Sequence, residues 1–114
     1  MREENLFDPL VAYLESGGYR ILEQHRGHER GVDIVADKNG RKLYVQLKGD
    51  SMALDVDFGT NLYQVMKLMT SQDADYAIGV SEAYRPHVLK CENGLRRLGV
   101  FVFVISEAGV KKAI

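Results

Sequence analysis

The 114-residue sequence has one cysteine, two prolines and no tryptophan, and its net charge is only −1. A lone Cys91 cannot form an internal disulfide. It suits a reducing compartment, so a cytoplasmic location is expected, and the thiol is expected to be buried or half-buried. With acids and bases nearly balanced, the chain lacks the basic excess of a general nucleic-acid binder. Any contact with nucleic acid must therefore come from a local patch. No apolar run approaches the ~20 residues of a membrane span, and the longest, VFVFVI, has the length of a buried strand. MREENLFDPL has no apolar stretch behind a basic one, so no signal peptide is expected. GxGxxG, P-loop and GxSxG patterns are missing, which argues against nucleotide binding and serine-hydrolase chemistry.

What is present reads as one domain spanning residues 1–114, long enough for a single core. In NLFDPLVAYLES, Leu6, Leu10, Val11 and Leu14 fall at helical spacing, and Gly17-Gly18 supplies a stop. Pro9 must lie in the first turn, either as the first helical residue with Asp8 as cap or in a helix starting near Asn5. YRILEQ reads as a strand and HRGHERG as a polar loop. VDIVAD and KLYVQLK follow as two strands around KNGR. Residues 50–57 read as a loop or irregular edge. From Gly59 to Ser71, Leu62, Val65, Met66 and Met69 form one helical stripe, taken as core. ADYAIGVS is a strand, RPHVLKCENGLRRL a helix with Pro86 at its start, VFVFVIS a buried strand and GVKKAI a tail. The class is α/β, in the order α-β-β-β-α-β followed by α-β: a central mixed sheet flanked by helices, antiparallel early and parallel late.

Asn39-Gly40 is a strong two-residue hairpin signal, because a type I′ turn needs positive φ at both central residues. Counting outward pairs Lys38 with Arg41, Asp37 with Lys42, Ala36 with Leu43, Val35 with Tyr44, Ile34 with Val45 and Asp33 with Gln46. Opposed side chains share a face, and Lys48 lies on the face of Gln46. Three polar groups thus gather at one end, while Val32, Ile34, Ala36, Leu43, Val45 and Leu47 make the other face apolar and in need of a helix. Asp33 and Gln46 offer the hard oxygens that Mg²⁺ takes, and Lys48 can stabilise developing negative charge or position water. The same three residues also fit a solvated rim, with Asp33 and Lys48 as an ion pair.

The run G-V-D-I-V-A, then a hairpin, then V-Q-L-K-G, behind a helix and a strand, resembles the PD-(D/E)XK superfamily with its restriction-endonuclease-like fold. The likeness spans about residues 4–81 and is sharpest over 31–49. Q-x-K in place of E-x-K or D-x-K is similar to the Mrr-type branch, and Holliday junction resolvases have a comparably small build. The resemblance implies an Mg²⁺-dependent nuclease, with Mn²⁺ as a substitute, cleaving DNA through Asp33, Gln46 and Lys48. It also implies an acid on the first helix, for which Glu4 is the best match and Glu3 and Glu15 are weaker ones. Two positions depart from the pattern. Val32 replaces a proline, and Gln46 replaces a carboxylate, which removes one charge from the metal site.

Arg26 and Arg30, in HRGHER, are candidate phosphate contacts. His25 and His28 lack the further ligands that zinc requires. The resemblance directs polar residues of the second helix toward the site, so Gln64 and Lys67 are candidate substrate contacts. Pairing of two copies suits duplex cutting, so a homodimer is a reasonable expectation. Gln46 and the uncertain first-helix acid also leave open a binding module whose catalysis has decayed, and the small size leaves open a subunit of a larger assembly.

Overall fold

Asn39 and Gly40 turn the chain with φ of 55° and 84°, and the register of the sheet follows from them. The computed structural model describes residues 1–27 and 31–114. Strands β2 (Ile34–Lys38) and β3 (Arg41–Lys48) pair antiparallel, with Lys38 opposite Arg41, Ala36 opposite Leu43 and Ile34 opposite Val45. β1 (Arg20–Gln24) pairs antiparallel with the other side of β2, its register broken by a bulge between Ile21 and Glu23. β4 (Ala74–Ser81) and β5 (Val100–Ser106) extend the sheet in parallel beyond β3. The segment expected as a tail forms β6 (Gly109–Lys112), antiparallel to β5. It satisfies the backbone groups that β5 would otherwise leave unpaired. The strand order is β1-β2-β3-β4-β5-β6.

Period-two alternation divides the core between two faces of this sheet. Ile34, Ala36, Leu43, Val45 and Leu47 pack against Leu6, Phe7, Leu10 and Leu14, with Ala77, Phe103 and Ile105 completing the layer. Helix α1 (Phe7–Ser16) follows a 3₁₀ turn over Glu3–Asn5 and has no side-chain cap, so Asp8 is not its N-cap. The preceding turn already delivers Leu6 in helical conformation. Pro9 falls in the first turn, where the helix asks for no donor.

The opposite face carries α2 (Leu54–Leu68), α3 (Arg85–Lys90) and α4 (Glu92–Leu98). Phe58, Val65, Tyr84, Val88 and Leu95 cover Tyr76, Ile78, Val80, Val100, Val102 and Val104. α2 begins at Leu54 rather than Gly59, and the loop expected over residues 50–57 is correspondingly shorter. The early start brings Phe58 into the core. The buried line is therefore Phe58, Asn61 and Val65, and Met66 is 47% exposed. The helix expected over residues 85–98 breaks at Cys91, whose thiol is exposed rather than buried.

Asn61 is fully buried, and neither amide atom has a hydrogen-bond partner among the described residues. An unpaired buried polar group costs about 1–3 kcal/mol, and asparagine is a poorer helix former than alanine. Asn61→Ala is accordingly expected to stabilise the fold by roughly 1–2 kcal/mol after the small cavity it leaves. Urea denaturation of the two proteins checks this, and a lower midpoint for the variant would contradict it.

Candidate active site

The β2–β3 ladder ends at Ile34 and Val45. Asp33 is thus not a formal ladder partner of Gln46. Its backbone carbonyl accepts from the His25 N–H at 2.9 Å, and its side-chain Oδ2 accepts from the Leu47 N–H at 2.7 Å. One acid thereby ties the start of β2 to the end of β3. Asp33 lines a pocket of about 240 Å³ together with Gln46 and Lys48, and Gln64 and Lys67 come to it from α2.

Glu3, Gly31 and Leu47 complete the lining. The sequence pointed to Glu4 instead. A 3₁₀ turn has about three residues per turn, so adjacent side chains diverge widely. Glu3 faces Lys48, with Oε1 4.0 Å from Nζ, whereas Glu4 is exposed and accepts from Arg2 at 3.4 Å. Glu15 is exposed near the far end of α1. Reading helix periodicity alone could not separate Glu3 from Glu4.

Arg26 is not in the pocket lining. Its guanidinium donates to Asp8 at 2.8 Å and Gln24 at 2.7 Å, and it lies 4.7 Å above the Phe7 ring. Arg30 and His28 lie outside the described residues. His25 contacts Glu23 at 3.0 Å, and a Cβ on Gly31 would meet the His25 ring at 2.9 Å. The ring can turn aside, but Gly31 also has φ of 124°, a conformation that favours glycine. A wider recess of about 590 Å³ lies around Asp50, Glu82 and Ser106. One of its acids, Asp50, is taken up by the Met1 ammonium and the Ser81 hydroxyl. In the smaller pocket two acids, two amides and two ammonium groups converge.

Burial pushes the Asp33 carboxyl up to about 6, and nearby Glu3 adds to the rise; the Leu47 N–H, Lys48 and His25 oppose it. The carboxylate is therefore short of compensating charge. Asp33, Glu3 and the Gln46 side-chain oxygen form a hard-oxygen donor set that suits a divalent cation with water and phosphate completing its shell. Among the described residues, no three His, Cys, Asp or Glu side chains gather as a self-sufficient metal cluster.

A raised carboxyl pKa has a defined sign for stability. The folded state holds the proton more tightly, so this contribution is fully present below about pH 4 and is lost as pH rises through about 6. Asp33→Asn removes the charge and keeps an acceptor for Leu47. The metal-free variant should be about 2 kcal/mol more stable than the native protein at pH 8, allowing for partial exposure, and equal to it at pH 4. Thermal unfolding in EDTA at both pH values tests this, and a pH-independent difference would contradict it.

A family model described as restriction endonuclease, Mrr_cat, matches residues 1–84, which run through β4 and the turn behind it. No curated protein matches the chain in sequence. The structure of an XisH family protein from Nostoc punctiforme PCC 73102 superposes with a TM-score of 0.64 at 15% identity, covering 89% of this chain and 90% of that one. An fdxN element excision controlling factor protein from Anabaena variabilis gives 0.65 at 16% identity, covering 96% and 98%. At such identities these two similarities are of fold alone.

Proposed function

The chain belongs to the Mrr_cat restriction endonuclease family, and from that premise we propose that it is a cytoplasmic Mg²⁺-dependent endonuclease hydrolysing DNA phosphodiester bonds, its 114 residues acting as one domain. One observation carries the proposal: Glu3 from the 3₁₀ turn, Asp33 from just before β2, Gln46 and Lys48 from β3, and Gln64 and Lys67 from α2 line a single small pocket. In this reading Asp33 and the Gln46 oxygen hold the cation, with Glu3 as an additional acid. Bound Mg²⁺ supplies positive charge that polarises the phosphate group. Glu3 sets the position of the Lys48 ammonium, which faces the charge that develops on the phosphate oxygens. Gln64 and Lys67 hold the substrate backbone by an amide and an ammonium, contacts that position DNA without reading its sequence.

The neutral Gln46 motivates a second reading, a DNA-binding module that no longer cleaves. The two separate in one assay with plasmid, single-stranded and branched DNA, in Mg²⁺ or Mn²⁺ against EDTA. The proposal expects cleavage with either ion, none in EDTA and none from Asp33→Ala, which removes the charged metal ligand. DNA retention without cleavage under every condition would favour the binding module.

A further inference from the structure

On the α1 side of the sheet, a pocket of about 310 Å³ beside the end of that helix plays no part in the chemistry proposed above. Tyr13 from α1, Tyr19 ahead of β1, and Phe101 and Phe103 from β5 give it four aromatic side chains, joined by Lys38 and Lys112. Phe103 is buried and meets the Tyr13 ring edge-on, with centroids 5.8 Å apart. Tyr13 itself is exposed. The pocket is well separated from Asp33. Lys38 ends the strand that Asp33 precedes, roughly 16 Å away at about 3.3 Å per residue. Gln64 and Lys67 of the first pocket belong to α2, on the opposite face of the sheet.

The lining carries charge of one sign. It holds two ammonium groups and, among the described residues, no carboxylate, in a chain whose net charge is −1. Each ammonium rests beside a ring: Lys112 Nζ lies 4.1 Å from the Phe101 centroid, and Lys38 Nζ 5.4 Å from that of Tyr19. Lys38 also runs close over Gly18, where a Cβ would stand 3.4 Å from its Cε. The two lysines come from β2 and β6, which stand four places apart in the sheet, so they reach the pocket from different sides. Aromatic side chains with an ammonium on either side suit a planar base that has a phosphate before it and another after it. A free mononucleotide brings one phosphate and leaves one ammonium unused.

We propose that this pocket holds one nucleotide of single-stranded DNA, its base against the aromatic side chains and its flanking phosphates on Lys38 and Lys112. At about 310 Å³ the pocket is at the small end of the range for ligand sites, with room for one unpaired nucleotide and none for a duplex. Bases in a duplex are stacked on one another, so only an unpaired base can offer its face to the rings. The choice of DNA as the polymer rests on the reading of the family given above, but the binding does not require cleavage. DNA that occupies both pockets must pass from one face of the sheet to the other, as a flexible single-stranded arm can. Branched or tailed DNA should therefore bind more tightly than a blunt duplex of the same length.

Fluorescence anisotropy of a labelled pentathymidylate, titrated in EDTA with the full chain up to about 1 mM, tests the proposal. Tyr13→Ala should weaken binding about 5- to 150-fold, the worth of one stacked base. Lys38→Gln and Lys112→Gln, both exposed changes that spare the core, should each flatten the slope of log K against log salt by about 0.7, one phosphate's share. Lys111→Gln, whose side chain leaves the strand on the other face from Lys112, should keep the wild-type slope. Asp33→Ala should bind the strand as the wild type does, so a failed cleavage reading and a failed strand site give different results. Ultraviolet crosslinking of a 5-iodouracil strand should label the peptide that holds Tyr13 and Tyr19. A wild type that does not bind, undiminished binding by Tyr13→Ala, unchanged slopes in both lysine variants, or crosslinks confined to α2 would each overturn the proposal. So would thymidine monophosphate bound as tightly as the pentamer, which would mark a free-nucleotide site.

Discussion

Lys48→Ala should lower the rate of DNA cleavage by about 10²–10³-fold, by analogy with the loss of one preorganised donor from an oxyanion site. DNA affinity should change far less. In the proposed site, attraction for the ground-state phosphate would be shared with Lys67, while Lys48 lies beside Asp33 and Glu3. Only an interaction that strengthens in the transition state accelerates chemistry, so the loss should fall on kcat rather than on KM. Single-turnover cleavage beside a DNA-binding titration measures both. Gln46→Glu should act the other way, restoring a carboxylate and tightening the cation, with activity kept or raised. Cleavage undiminished in Lys48→Ala would remove this pocket from the chemistry altogether.

Gly49→Ala, one residue further on, should be among the most damaging small substitutions in the chain. A Cβ at Gly49 would collide with the backbone of Arg2 and Glu3. Side-chain rotation cannot relieve a clash with backbone. Neighbouring contacts also hold the segment in place: the Tyr84 hydroxyl donates to the Gly49 carbonyl at 2.9 Å, and the Asp50 N–H donates to the Met1 carbonyl at 2.9 Å. The methyl must therefore lift residues 1–3 away from the end of β3. Overpacking of this kind costs about 1–3 kcal/mol, and the displaced segment carries Glu3 with it. The expected result is a destabilised protein with impaired cleavage. Glu3→Gln, which keeps the shape and removes the charge, should reproduce the impaired cleavage without the stability loss. Wild-type stability in Gly49→Ala would contradict the close approach.

Hairpin chemistry made much of the pocket legible in the sequence. Asn39-Gly40 set the count, and the count brought Asp33, Gln46 and Lys48 to one end of the sheet. The apolar alternation through Ile34, Ala36, Leu43, Val45 and Leu47 called for a covering helix, and α1 covers it. Glu3 was harder to read, because the choice between Glu3 and Glu4 turns on a three-residue 3₁₀ segment that no residue pattern announces. α2 was read short because Leu54 to Phe58 carries two acids and no cap. Its helicity there rests on Phe58 reaching the core, a tertiary effect that local propensity does not contain. β6 was read as a tail since GVKK gains order only by pairing with β5. The antiparallel β2–β3 pair and the parallel β3, β4 and β5 were legible because one connection is a two-residue turn and the others are single helical crossovers.

Both margins of the sheet are hostile to another strand. β1 is interrupted by its bulge and presents Arg20, Glu23 and Gln24, and β6 is four residues long and ends in two lysines. Kinked, short and charged borders are the usual protection against strand-by-strand aggregation. The protein should therefore resist growing into fibrils along its hydrogen-bonding direction when it is concentrated.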